Sequence, residues 1–394
     1  MSVSSEAAHL LDISVEPEAP ARTKRFGIRQ LLGGLFRLVG RFVSLLFHLA
    51  SLVLLLATLA AIPIVNILAL GFLLKAEGEV AREGKWKAGF PLYRVAGQLG
   101  AIVFGIFILL LPLRYLGGFT SDAYLIDPGS GLTKFLRILT FTIASGLLIH
   151  LLITLLVGGS LGSFFTPRRN YRKLRQQENL GQILRERSAA VGNVVSSLEL
   201  KQTFLLGLWG ALGVLMWTLI PTALFAVADA PQGPAILVTL VGGAMLAVVA
   251  TWVPILQAHY SSTQRFSACR ELRHCRQLFR KTPFLWTLGF LIGYALTIVL
   301  YLFKIVAPPQ DALWMMTTVF IAVIYPARLL LGRIYARAAR LETEPPWYWR
   351  KFWSLVSVLL CGFYVFLLFF TRNIGAHGKL VMFEQPLLLI PSPF

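Results

Sequence analysis

Charge is what this sequence has least of. Only 14% of its 394 residues are Asp, Glu, Lys or Arg, where a soluble domain carries about 25%. With 56% of the residues hydrophobic, that shortage excludes an ordinary soluble globule and fits a lipid-facing surface, where a charge is costly. Acidic residues are scarcer still: 18 Asp and Glu stand against 37 Lys and Arg, a net charge of +19. The excess does not mark a nucleic-acid protein. Its cations sit in short connections beside apolar runs, where the positive-inside rule and anionic lipid headgroups account for them. Cysteine is nearly missing, and Cys269, Cys275 and Cys361 are too few and too scattered for a disulfide framework. None of the apolar runs carries Asp or Glu near its middle, where a proton- or sodium-coupled transporter usually keeps at least one. No secretory leader is expected either, because the first apolar run starts behind a polar tail, too late for one.

What the sequence does have is a repeated alternation of long apolar runs and short basic connections. Phe204–Ala230, Ala235–Ala258, Phe284–Ala307 and Trp353–Thr371 are each long enough to cross a bilayer as a helix. Further spans are expected near Val95–Leu116, Leu136–Gly159 and residues 313–332, the last with Arg328 near its inner end. Lys and Arg number six up to Arg41, five in 75–94, eight in 168–201, six in 265–281 and six in 328–351; six remain elsewhere. The four basic connections are therefore read as cytoplasmic, with 117–133, 229–234, 307–312 and the C-terminus outside. Residues 42–74 hold no charge over 33 positions, and one helix of that length would be about 50 Å long against a core of about 30 Å. Two readings stay open. A single crossing puts the basic N-terminal arm outside, whereas a re-entrant hairpin bent near Pro63 puts it in the cytoplasm. Charge alone favours the cytoplasmic arm.

Residues 1–21, rich in Ser, Glu, Ala and Pro, read as a disordered tail. Residues 22–41 form a basic amphipathic arm suited to the headgroup plane. The membrane domain covers 42–372, and an apolar tail covers 373–394. Pro63 and Pro91 are spaced much as Pro254 and Pro283 are, and in each copy an apolar span leads into the first proline, a polar connection lies between the two, and a second apolar span follows. The order suggests two similar four-span halves, 42–229 and 235–372, a known membrane architecture. Val253–Pro283 (VPILQAHYSSTQRFSACRELRHCRQLFRKTP) and Ile62–Pro91 (IPIVNILALGFLLKAEGEVAREGKWKAGFP) resemble segments of bacterial polytopic membrane proteins of unknown function. Those families have a proline-ended span, an arm with an aromatic and a small-residue turn, and a basic helix leading into the next span. The resemblance covers about a third of the chain and implies no activity.

Few motifs suggest chemistry. Gly158-Gly159-Ser160-Leu161-Gly162 matches G-x-S-x-G, but that motif needs a strand-to-helix elbow, and here it ends an apolar helix. His150 lies nearly three turns away on the same span. Close helix contact through Gly158 and Gly162 is the plainer reading. Cys269, His274 and Cys275 lack zinc-knuckle spacing, and on a helix Cys269 and His274 point about 140° apart. They read as free thiols and a histidine in a cytoplasmic loop. His48, Asn66 and His150 are the candidates for intramembrane polar function, each weighed against a neutral side chain bonded to nearby backbone. Pro63 and Pro254 are candidate hinges. Gly289 and Gly293, Ala101 and Gly105, and the trio Gly207, Gly210 and Gly213 predict tight helix faces. Residues 168–201 read as an interfacial helix in which Arg187 falls on the apolar side, and Trp347, Tyr348, Trp349 and Trp353 as an aromatic belt.

The expectation is an all-α integral membrane bundle of about eight transmembrane helices with amphipathic interfacial helices, in the inner membrane, with no catalytic residue, metal or cofactor. A non-enzymatic scaffold or accessory subunit of a membrane complex fits best. Its partners would be anionic lipid headgroups and a membrane protein docked at the outer C-terminal tail. A permease or lipid-handling carrier is the alternative, and an intramembrane hydrolase acting through Ser160 comes third.

Overall fold

In the computed structural model, which describes residues 28–176, 180–227, 233–306, 313–371 and 382–383, the regular elements are all helical. Eight described helices are long and apolar enough to cross a membrane, so the chain is a multi-pass membrane protein. Seven of them are α3 (Tyr93–Ile126), α4 (Gly131–Val157), α8 (Leu200–Phe225), α9 (Ala235–Thr263), α11 (Pro283–Val306), α12 (Leu313–Arg340) and α13 (Trp347–Thr371). The eighth is the Arg37–Ala61 portion of α1 (Ile28–Ala61). Residues up to Leu46 form a unit of their own, in which Leu38, Val39, Phe42 and Val43 are exposed along the helix. The expected disordered tail, 1–21, lies outside the described residues.

The uncharged stretch 42–74 is not a single crossing: the chain turns at Pro63, where the hairpin reading puts the bend, and the second limb runs on as a long helix. Helix α1 ends at Ala61, a turn carries Pro63 and a left-handed Ile64 (φ 70°), and α2 then runs from Val65 to Glu83. Residues 75–83 are thus helical, which corrects their reading as part of a loop. Lys, Ala, Glu and Arg are good helix formers, and the helix stops only at Gly84, whose left-handed φ of 69° lets its N–H bond Val80 O. With 19 residues, α2 is about 28 Å long, a ninth helix of membrane length.

Contacts give the directions. His48 and Ser51 of α1 lie against Gly97 and Gly100 of α3 in the same order. Since α3 starts where α2 finishes, α1 beyond Phe47 and α2 are antiparallel. Ile67 meets Gly207 and Lys75 meets Glu199, so α8 is antiparallel to α2. Gly78 meets Ser261 of α9, and Glu77 and Glu83 meet Arg328 and Arg340 of α12 in the same order, so α12 runs parallel to α2. The basic segments around residues 82–87, 199–201, 261–281 and 333–340 consequently gather at one end of the bundle, here the basic end. Helices α3 and α4 form an antiparallel hairpin joined by Thr120–Thr140 and by Thr133 Oγ1 to Ala123 O.

Helix α2 occupies the middle. Ala69 to Leu74, Ala76 to Gly78, Val80 and Ala81 are all buried, so it is enclosed on every face rather than along one stripe. Around it the core collects Leu52 and Leu56 of α1, Ile255 of α9, Trp286 of α11 and Ile321 and Ile324 of α12. Met382 is also fully buried in this core; the rest of the apolar C-terminal tail lies outside the described residues, apart from Phe383, as do 228–232 and 307–312. The stretch read as one interfacial helix is two, α6 (Pro167–Arg175) and α7 (Leu180–Ser197), preceded by the one-turn α5 (Leu161–Phe164). Arg187, misplaced by the amphipathic pattern, donates to Leu156 O and Val157 O (3.1 and 2.9 Å). It caps the C-terminal carbonyls of α4, where a cation is favoured.

Candidate functional site

At the basic end, the buried face of α2 carries a charge. Glu77 and Arg328 are both fully buried, and Arg328 Nη1 donates to Glu77 Oε2 at 2.6 Å. Glycines allow the helices to close around this pair. A Cβ on Gly71 would overlap Thr203 O, one on Gly207 would overlap Ile67 O, and one on Gly78 would overlap Ser261 O. Gly332 brings α12 onto the carbonyl of Glu77 itself. The stripe Tyr325, Arg328, Gly332 and Arg340 therefore reads down one face of α12. Tyr325 donates to Gly89 O and Arg340 to Glu83 O. Glu77 Oε1 has no hydrogen-bond partner among the described residues. An ion pair this deep is held by geometry, because the cost of desolvating two charges offsets most of their attraction.

Beyond the ion pair, α9 repeats the local geometry of α2. Gly84 and Gln264 both cap their helices in the left-handed region, donating to Val80 O and Tyr260 O. Each is followed by an extended cation, Lys85 or Arg265, and a 3₁₀ turn opened by an aromatic, Trp86–Gly89 or Phe266–Arg270. The second copy then inserts α10 (Leu272–Lys281) before Pro283 opens α11; Pro91 precedes α3 directly. In this register Glu77 corresponds to Gln257, not Pro63 to Pro254: Pro63 lies in a turn and Pro254 inside α9. Gln257 is also buried, and its Nε2 likewise has no partner among the described residues.

His259, buried on α9, links this second turn to α12. Its Nδ1 lies 2.8 Å from Tyr335 Oη and its Nε2 3.0 Å from Glu271 Oε2, and the ring of His274 lies 4.5 Å from its own. The hydrogen bond with His259 holds the Glu271 carboxyl below its ordinary range. Burial, and then the neighbouring His259, push the His274 imidazole down. Cys269 and Cys275 are free, as read from the sequence, and both are buried. Burial raises their thiols to about 11 and about 12, so both are protonated at neutral pH and poor nucleophiles. Among the described residues, no group of three His, Cys, Asp or Glu is arranged to hold a metal.

The residues nominated from sequence sit apart from this polar knot and from one another. His48 stacks on Tyr93 at 4.7 Å on the α1–α3 contact. Asn66 lies in the first turn of α2, its N–H bonded to Ile62 O. His150 Nε2 lies 2.9 Å from Phe164 O, and Phe164 in turn fills the space beside Gly105. Gly158 (φ 142°) and Gly159 (φ 61°) break the chain between α4 and α5. Gly162 faces open space, so Gly158 and Gly162 do not form the shared helix face expected of them. Ser160 precedes α5 and accepts from Ser163 Oγ at its carbonyl. Gly289 packs against Ile334, and buried Gly293 accepts from Thr297 Oγ1. Gly207, Gly210 and Gly213 receive Ile67, Leu74 and Cys269.

Glu77, Arg328, His259, Glu271 and Tyr335 were not identified as a site from the sequence. A signal existed for the first two. Leu73, Leu74, Ala76, Val80 and Ala81 surround Glu77 at helical spacing, which puts the carboxylate on an apolar face, and an arginine inside an apolar run calls for a partner. No protein-family profile matches the chain, and comparison with curated proteins and with solved structures gives no significant match.

Proposed function

We propose that this protein is a non-enzymatic scaffold or accessory subunit of a membrane complex, set in the inner membrane with its basic end in the cytoplasm. One observation carries the reading: α4 is left almost bare. In the most apolar stretch of α4 only 6% of residues are buried, against 61% in α12. Between helices in lipid there is no hydrophobic driving force, so position depends on close packing and polar contacts. Phe135, Ile138, Phe141, Ile149 and Leu152 are exposed on α4, and Thr142 and Gly146 form a small-residue step among them, with open space at Gly146. That face suits a partner's transmembrane helix. The positive-inside rule supports the orientation. His150 is engaged at Phe164 O rather than at Ser160, which favours the non-enzymatic reading. A lipid-handling role is the second reading, favoured by a groove between α9 and α13.

The test is a photo-crosslinking amino acid placed at Phe141 in native membranes, with Leu359 on the exposed face of α13 as comparison. The scaffold reading expects a discrete protein adduct at Phe141 and lipid adducts alone at Leu359. Lipid adducts alone at both positions would overturn it.

A further inference from the structure

Two depressions that share Trp252, Phe279, Ser354 and Val358, and a third one helical turn further along, follow the seam between α9 and α13, and their chemistry changes along its length. At the basic end lies an open space of about 590 Å³ bordered by Arg276, Arg280, Arg350, Lys351, Trp252 and Trp347. No acidic side chain is among its lining residues. Next comes a narrower space of about 100 Å³ at Thr251, Ser354 and Ser357. Beyond it an apolar trough of about 410 Å³ runs past Ala247, Gly243, Gly362 and Phe366. On α13 the lining residues Trp347, Lys351, Leu355, Val358, Gly362, Phe366 and Phe369 fall three or four positions apart, so one helix face lines the whole track.

We infer that this seam binds an anionic glycerophospholipid of the bilayer, with its phosphate among Arg276, Arg280 and Lys351 and an acyl chain along Leu355 to Phe366. Charge complementarity at one end and apolarity at the other require an amphiphile. Arg350 is committed to Glu344. Arg276 lies over the Trp252 ring, which leaves its N–H edge open to an oxyanion, and Arg280 is one turn along the same face of α10. Guanidinium groups suit phosphate oxygens, and the flanking tryptophans mark headgroup depth. From Leu355 to Phe366 is about 16 Å along the helix, close to the roughly 15 Å of one leaflet's hydrocarbon. Gly362 has nothing within reach of a Cβ, so the trough is open where the chain would lie. The inference does not depend on the scaffold reading.

The test is native mass spectrometry of the purified protein in mild detergent, titrated with palmitoyl-oleoyl phosphatidylglycerol or with the phosphatidylcholine of the same chains. One phosphatidylglycerol is expected to be retained in preference to phosphatidylcholine. Arg276→Gln, Arg280→Gln and Lys351→Gln together should remove that preference, at roughly fivefold per cation. Gly362→Leu, which fills open space without a clash, should weaken both lipids. Arg168→Gln, Arg169→Gln and Lys173→Gln together, on α6, should change neither. Equal retention of the two lipids, an equal loss in the α6 variant, or displacement by millimolar inorganic phosphate would each overturn the site.

Discussion

Helices α12 and α4 invert the usual expectation of what an apolar helix does. The more apolar of the two, α4, is the barer; α12, with Arg328 in its interior and Arg333, Arg337 and Arg340 following, is the more enclosed. In water the apolar helix would be the buried one. In lipid, apolarity allows a helix to enter the bilayer but does not hold it against another helix. What holds α12 is a glycine that admits a carbonyl, a tyrosine and an arginine on backbone oxygens, and an ion pair with α2. The hairpin has a few such ties: Thr120–Thr140, Thr133 on Ala123 O, Asn170 on Thr154 and Ser163 O, and the Arg187 cap. These fasten it to itself and to α5–α7, and its hold on the core lies at the start of α3, where Gly97 and Gly100 receive His48 and Ser51 of α1.

Substitutions should separate the two regions most sharply at glycine. Gly207→Leu or Gly71→Val drives a side chain into backbone, and each should lower thermal stability in detergent by about 3 kcal/mol or more. The same leucine at Gly146, where space is open, should stay within about 0.5 kcal/mol. An equal loss at Gly146 would mean the hairpin is as tightly packed as the core. A smaller effect is expected at Arg187→Ala, which removes the cap on α4 and should cost about 1 kcal/mol. Hydrogen exchange should show faster opening at Leu155 to Val157 and no change in α2.

The smallest effect is pH-dependent and belongs to the core's basic end. His274 faces His259, Glu271 and Lys281, and its imidazole is held below the ordinary 6.5. A depressed histidine leaves the unfolded chain binding more protons. Stability should therefore fall as pH drops below 6.5 toward the folded value, and His274→Gln should flatten that slope. The depressed Glu271 carboxyl acts in the same direction lower down, its contribution being lost as pH falls below its ordinary 4.5.

Much of the fold is legible in the sequence, because span length and the absence of charge are strong signals. α8, α9, α11 and α13 sit within a few residues of the apolar runs. What escapes is α2, and for one physical reason. Lys75, Glu77, Glu79, Arg82 and Glu83 make its second half read as a loop, yet Glu77 is paired across space with a residue 251 positions away. A charge count sees each ion alone, whereas the bilayer interior responds to the pair. His259 was hidden similarly, since its partners Glu271 and Tyr335 come from a turn and from another helix. Arg187 read as a flaw in an amphipathic helix because its acceptors are carbonyls of α4.

The mutual dependence of Glu77 and Arg328 in the core is tested most directly by a double-mutant cycle at the two positions, read as thermal unfolding in detergent. Glu77→Leu or Arg328→Met alone strands a buried charge and should cost about 3–5 kcal/mol. The two together remove both charges and should recover at least about half of the larger single loss. Single variants with wild-type stability, or a double variant whose loss is the sum of the two, would contradict the account.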